Sequence, residues 1–138
     1  MDIRKINDSI SVAPQISPDD MTAIAELGFK TVINNRPDGE APDQAPAARM
    51  EEAARAAGLA YRFVPVISGQ LTRDNVDEFA ATMADVEGPV LAYCRSGTRS
   101  ATLWALSQAG KAPADEIVSQ AAKAGYDMSP FRAALDGG

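Results

Sequence analysis

Cys94 is the single cysteine of the chain, and it stands in the run Tyr93-Cys94-Arg95-Ser96-Gly97-Thr98-Arg99-Ser100. Before it, Pro89-Val90-Leu91-Ala92 reads as a buried strand; after it, residues 101–109 carry apolar side chains at helical period. A cysteine at that junction has a physical consequence. The backbone N–H groups of a short glycine-containing loop, and those of the first helical turn, point inward at the sulfur, where the helix dipole adds positive potential. Arg99 adds a full charge. Such a cradle binds an oxyanion and favours thiolate over thiol, which makes Cys94 a candidate nucleophile. The competing reading is a small buried hydrophobe, the usual state of a lone cysteine. Arginine, glycine and hydroxyl residues packed this densely around it suit neither a core nor an ordinary turn.

The loop residues divide into roles. Ser96, Gly97 and Thr98 offer backbone amides to the anion, and Gly97 permits positive φ or close approach. Arg95 contributes its amide, with its side chain toward solvent. Ser100, at the loop-to-helix junction, has two open readings: a hydroxyl donor to the sulfur, or a helix N-cap. The chain has no histidine, so a Cys–His dyad is excluded and activation of Cys94 must be electrostatic. The commonest metal ligand is missing with it, and neither a metal nor another cofactor is expected. A second candidate is Arg36-Pro37-Asp38-Gly39. It is a good turn sequence by itself, within which Arg36 and Asp38 can pair. It equally suits a site role, with Arg36 on the anion and Asp38 as proton donor. Trp104 reads as a packing residue of the helix that follows the loop.

These residues need a framework. At 138 residues, residues 1–138 read as one domain with a real core. The 46% apolar and 23% charged content argues for a globular chain and against disorder. The net charge of -6 argues against nonspecific nucleic-acid binding. One cysteine forms no internal disulfide, which fits a reducing compartment. No apolar run approaches membrane-spanning length and no signal-peptide core is visible, so no membrane partner is expected and the cytoplasm is the expected location.

Strand and helix signals alternate. Ile10-Ser11-Val12 reads as a first strand. Ser17-Pro18-Asp19-Asp20 starts a helix that turns Met21, Ile24 and Leu27 inward and stops at Gly28. Thr31-Val32-Ile33-Asn34 is a strand, residues 35–46 a proline-containing loop, and residues 47–57 an alanine-rich helix ending at Gly58. Residues 61–66 form the next strand, with Pro65 near its end. Thr72 caps a third helix whose Val76, Phe79, Met83 and Val86 read as core. After the strand at 89–93 and the cysteine loop come a fourth helix, a fifth opened by Pro113, a short sixth at Ser129-Pro130, and a tail at 136–138 that reads as frayed. Strands separated by helices imply an α/β domain with a mostly parallel central sheet flanked by helices. The working site of such a sheet lies beyond the carboxyl ends of its strands. That rule brings together the loops at 35–43, 67–71 and 94–99.

The three segments that carry these signals, residues 29–40, 61–66 and 88–100, resemble the phosphatase-like domain of the beta-lactamase hydrolase-like proteins. The likeness runs from about residue 10 to 109. It implies a protein-tyrosine-phosphatase-like three-layer sandwich, in a bacterial offshoot of the tyrosine and dual-specificity phosphatases. It also implies partners: oxidoreductase or metallo-hydrolase domains linked to sulfide and persulfide metabolism, with some members labelled sulfur transferases. Three departures stand out. Tyrosine phosphatases place five residues between the nucleophilic cysteine and the phosphate-binding arginine, whereas four lie between Cys94 and Arg99, as in rhodaneses. Tyr93 stands where phosphatases usually carry histidine. The loop Ile67-Ser68-Gly69-Gln70 lacks their general acid, and Asp74 belongs to a helix start, which leaves Asp38.

The preferred expectation is a cysteine-dependent phosphatase acting on a small anionic phosphomonoester. Cys94 carries the phosphoryl group as a thiophosphate, Arg99 and the loop amides hold its oxygens, and Asp38 or water protonates the leaving group. The alternatives are a rhodanese-type sulfurtransferase with a persulfide on Cys94, drawing on a sulfane-sulfur donor, and a non-catalytic phosphate- or sulfate-binding module.

Overall fold

One strand decides the architecture. In the computed structural model, which describes residues 1–137, the strand leading to Cys94 is buried along its whole length. This is β5, Val90–Tyr93, and its side chains alternate between two cores: Val90 and Ala92 enter one, Leu91 and Tyr93 the other. A strand covered on both faces needs helices on both sides. The other strands are β1 (Arg4–Lys5), β2 (Ile10–Ala13), β3 (Thr31–Asn34) and β4 (Ala60–Phe63). They form one sheet in the order β1-β2-β5-β3-β4. β2, β5, β3 and β4 are parallel, with Val12 and Ile33 both in register with Ala92; β1 pairs antiparallel on the β2 edge.

The helices make the outer layers. On one face lie α1 (Met21–Glu26), entered through a 3-10 turn at Pro18–Asp20, and α2 (Ala47–Ala56). Met21, Ile24, Met50 and Ala54 pack there on Val32, Leu91 and Tyr93. On the other face lie α3 (Arg73–Asp85), α4 (Thr98–Ser107), α5 (Ala114–Lys123) and α6 (Arg132–Gly137). Phe79, Leu103, Trp104, Ile117 and Leu135 pack there on Val12, Ile33 and Ala92. Trp104 is therefore the packing residue its position suggested. Thr72 caps α3 by a reciprocal pair: its Oγ1 accepts from the Asn75 amide at 3.2 Å, and Asn75 Oδ1 accepts from the Thr72 amide at 2.8 Å.

Several boundaries differ from expectation for local reasons. α1 stops at Glu26, so Leu27 rotates out to 64% exposure before Gly28, at φ +100°, turns the chain. β4 ends at Phe63, short of residue 66, yet the extended run continues: the Val64 and Val66 amides donate to Asn34 O and Asn35 O at 2.9 and 3.0 Å, on either side of the donor-less Pro65. β1, two residues long, is too short to leave a pattern in the sequence. α6 runs to Gly137 where a frayed end was expected; Gly138 lies outside the described residues.

Tyr93 is fully buried against α1 and α2, and its hydroxyl, beside that of Tyr61, makes no well-formed hydrogen bond among the described residues. Burial holds this phenol far above the ordinary tyrosine pKa, so it stays neutral. A buried hydroxyl without a partner costs about 1–3 kcal/mol. Tyr93→Phe is therefore expected to raise stability by about 1 kcal/mol or more in urea unfolding, with an unchanged m value. A loss of stability would mean that the hydroxyl is satisfied.

Candidate active site

The parallel strands end at one edge, and there the chain leaves β5 at Cys94. Gly97, at φ +90° and ψ -15°, turns the backbone and caps the start of α4. The Gly97 N–H points at the sulfur, 3.1 Å from Cys94 Sγ. Cys94 is completely buried, but the loop above it is polar: Arg95, Ser96 and Thr98 are exposed. Neighbouring strand ends pin the base of the loop. The Gln15 amide donates to Arg95 O at 3.1 Å and the Asn35 amide to Tyr93 O at 2.8 Å.

Arg99, in the first turn of α4, reaches back over the loop. Its Nη1 donates to Glu40 Oε2 at 2.8 Å and to Val66 O at 2.9 Å, and its Nη2 to Glu40 Oε1 at 2.8 Å. The same guanidinium lies close enough to Cys94 to interact with its sulfur. Glu40 also accepts from Arg36 Nε at 2.9 Å, and Arg36 Nη1 donates to Gln15 Oε1 at 3.0 Å. The Arg99 hydrogen bonds, and then those of Arg36, hold the Glu40 carboxyl below the ordinary glutamate pKa. Glu40 in turn raises that of Arg99, and the nearby Cys94 sulfur adds to the effect. The site is thus two arginines bridged by one fixed carboxylate, with a sulfur beneath a backbone amide.

Several candidates sit differently from their sequence readings. Asp38 pairs with neither Arg36 nor the loop; its Oδ1 accepts from the Ala47 amide at 2.7 Å and so secures the start of α2. Arg36 is buried and takes Glu40 as its partner, which replaces the turn pairing with Asp38. Ser100 is neither N-cap nor donor to the sulfur: Gly97 holds the cap position, and Ser100 Oγ donates to Asn35 Oδ1 at 2.8 Å. Ser96 Oγ donates to Thr98 Oγ1 at 3.1 Å, away from the sulfur. Sequence reasoning missed Glu40, Gln15 and Asn35. A signal for Glu40 was present, since Glu40 stands four residues after Arg36, within reach of an ion pair.

Outside the loop lies a cleft of about 640 Å³, lined among others by Ser68, Gly69, Leu71, Arg95, Thr98 and Phe131. A separate groove of about 490 Å³ between α3 and α4 is lined by Val76, Ala80 and Leu106 and lies away from the cysteine loop. Among the described residues no group of three or more Cys, Asp or Glu side chains is placed to hold a metal ion, and no helix is long and apolar enough to cross a membrane.

Comparison with known proteins bears on this geometry. The family model for the phosphatase-like domain of the beta-lactamase hydrolase-like protein matches residues 2–111. A beta-lactamase hydrolase-like protein of Xylella fastidiosa (strain Temecula1) is 39% identical over 130 residues, which is 93% of this chain and 30% of that protein. The chain thus spans less than a third of the length of the curated relatives it matches. A crystal structure from Neisseria meningitidis, provisionally described as a phosphatase, has a TM-score of 0.86 at 37% identity over 99% of this chain and 98% of that one. The structure of Tk-PTP in its active form has a TM-score of 0.73 at 13% identity over 97% and 92% of the two chains, a likeness of fold alone. The sandwich is therefore of the tyrosine-phosphatase type, as the sequence resemblance implied.

Glu40→Gln tests the bridge. Both guanidinium groups lose their counter-charge, which is expected to cost about 1–3 kcal/mol in denaturant unfolding near neutral pH. Because the folded-state pKa is depressed, the wild-type advantage is full above the ordinary glutamate value of 4.5 and shrinks as the pH falls below it. It is gone below the folded-state pKa. A difference that does not vary with pH would mean that the carboxylate is not what holds the pair.

Proposed function

The chain belongs to the phosphatase-like domain family of the beta-lactamase hydrolase-like proteins, and from that premise we propose that it hydrolyses phosphomonoesters through a covalent thiophosphate on Cys94. One observation supports the proposal most: the Gly97 N–H donates to the Cys94 sulfur at 3.1 Å, and the Arg99 guanidinium lies close enough to interact with the same sulfur. The substrate is a small anion, recognised by charge and by the cleft over the loop.

The steps follow from the geometry. Loop amides and the Arg99 guanidinium take the equatorial phosphoryl oxygens as charge builds on them. Cys94 is closed off from solvent, so the substrate reaches the sulfur from the polar side of the loop, where residues 95, 96 and 98 are exposed. The Cys94 thiolate attacks phosphorus; an S–P bond forms, the ester P–O bond breaks, and the leaving oxygen departs with the electron pair. Water then attacks the thiophosphate and releases inorganic phosphate and the thiolate.

Protonation of the leaving group separates this site from a fast phosphatase. Glu40 is the carboxylate bonded to Arg99, and its depressed pKa keeps it from donating a proton near neutral pH. Asp38 is engaged at the start of α2. Water is left as the proton source, and a general acid is typically worth on the order of 10² to 10⁴ in rate. Alkyl esters, whose leaving groups need that proton, should react slowly.

A second reading draws on the same facts. A sulfane sulfur needs less room over a closed cysteine than a phosphoryl group, and its transfer needs no acid. Cys94 thiolate would attack the outer sulfur of thiosulfate, the S–S bond would break, and sulfite would leave with the electron pair. The persulfide would then pass to an acceptor thiol, or to an oxidoreductase or metallo-hydrolase partner in persulfide metabolism.

Purified protein is expected to hydrolyse an activated aryl phosphate about 10² to 10⁴ times faster than an alkyl phosphate, and Cys94→Ser is expected to reduce both to background. Hydrolysis that survives Cys94→Ser sinks the phosphatase proposal. Intact mass after incubation with thiosulfate or glutathione persulfide tests the second reading, which ends if Cys94 stays unmodified under both donors.

A further inference from the structure

The donor at the sulfur is a single backbone amide next to a glycine, and glycine by itself holds no peptide in place. The Ser96 carbonyl and the Gly97 N–H belong to one planar peptide unit and point in opposite directions. The N–H end donates to Cys94 Sγ at 3.1 Å, and the carbonyl end accepts from the Tyr126 hydroxyl at 3.2 Å. Tyr126 comes from a distant part of the chain. α5 ends at Lys123, Gly125 turns the backbone at φ +96°, and the Tyr126 amide bonds back to Ala121 O at 2.9 Å. The ring is 6% exposed and lies beneath the Arg4 guanidinium, 5.4 Å from its centroid. It is packed tightly on the loop, since a Cβ at Gly97 would stand 2.1 Å from the Tyr126 hydroxyl oxygen.

We propose that Tyr126 is a positioning residue of the anion loop, whose hydroxyl locks the Ser96–Gly97 peptide with its N–H toward the sulfur. The catalytic consequence rests on the phosphatase reading; the geometry does not. Turned over, the same peptide would present a carbonyl oxygen to the sulfur and to any bound anion, and the cradle would repel what it now attracts. Burial raises the Tyr126 pKa, so the hydroxyl remains a donor across the neutral range. Tyr126 lies beyond residues 2–111, the span that the family model matches.

Tyr126→Phe keeps the ring and removes only the hydroxyl. It is expected to fold, with a melting temperature lower by about 4 °C. The Gly97 amide should shift in the ¹H–¹⁵N spectrum and lose protection from hydrogen exchange. The dissociation constant for inorganic phosphate should rise about ten-fold, the scale of one hydrogen bond to a charged group, and kcat/KM for an aryl phosphate should fall by a similar factor. Ile24→Val, in the core on the opposite face of the sheet, separates this from general destabilisation: it should lower the melting temperature comparably and leave phosphate affinity unchanged. A Gly97 amide with wild-type shift and exchange in Tyr126→Phe overturns the proposal, and so does unchanged phosphate affinity in a protein that binds phosphate. If the wild type neither binds phosphate nor turns over aryl phosphate, the phosphatase reading falls, and the Gly97 amide still decides the role of Tyr126. Should Tyr126→Phe melt early, the same spectra recorded well below its midpoint decide the matter.

Discussion

The contact on which the site depends is a backbone N–H aimed at a sulfur across 3.1 Å. Its direction is built in several steps. β5 runs between β2 and β3 with both faces buried, so its carboxyl end is delivered to a fixed point. Gly97 reverses the backbone within the loop, and α4 begins at once, pointing its N-terminus at the same place. Asn35 then ties the loop to the sheet, donating to Tyr93 O and accepting from the Ser100 hydroxyl. Each step uses an interaction that also holds the fold together.

Charge is the second constraint. The protein carries a net charge of -6, yet Arg99 lies beside the buried cysteine and Arg36 is itself buried, on the same carboxylate. Glu40 makes that tolerable by bridging both arginines, and in doing so it orients Arg99. The same bond removes Glu40 as a proton donor, because a carboxylate held by two guanidinium groups resists protonation. Of the two reactions proposed for Cys94, the phosphoryl transfer is the one that would feel the loss of that proton donor.

Local signals made much of this legible. β3 and β5 read as short apolar runs, Thr72 as a cap, Gly28 and Gly58 as stops, and the cysteine as lying between a strand and a helix; of the loop amides expected on the sulfur, Gly97 N–H is the one found there. What escaped was set by contacts far apart in the chain. Glu40 lies 59 residues from Arg99, and Tyr126 lies 30 from Ser96. Asp38 reads as an acid near the site until its carboxylate is seen on the Ala47 amide. Ser100 reads equally as a cap or as a donor to the sulfur, but the cap falls at Gly97 and the buried hydroxyl donates to Asn35. Leu27 fits the helical period, yet α1 ends one residue too soon to bury it.

The reaction proposed for Cys94 requires a covalent bond between its sulfur and phosphorus. Acid quenching during steady-state turnover of an aryl phosphate, followed by peptide mass analysis under conditions that preserve phosphocysteine, looks for that bond. A peptide carrying one phosphoryl group on Cys94, absent without substrate, is expected. Turnover with Cys94 unmodified throughout would rule the thiophosphate out.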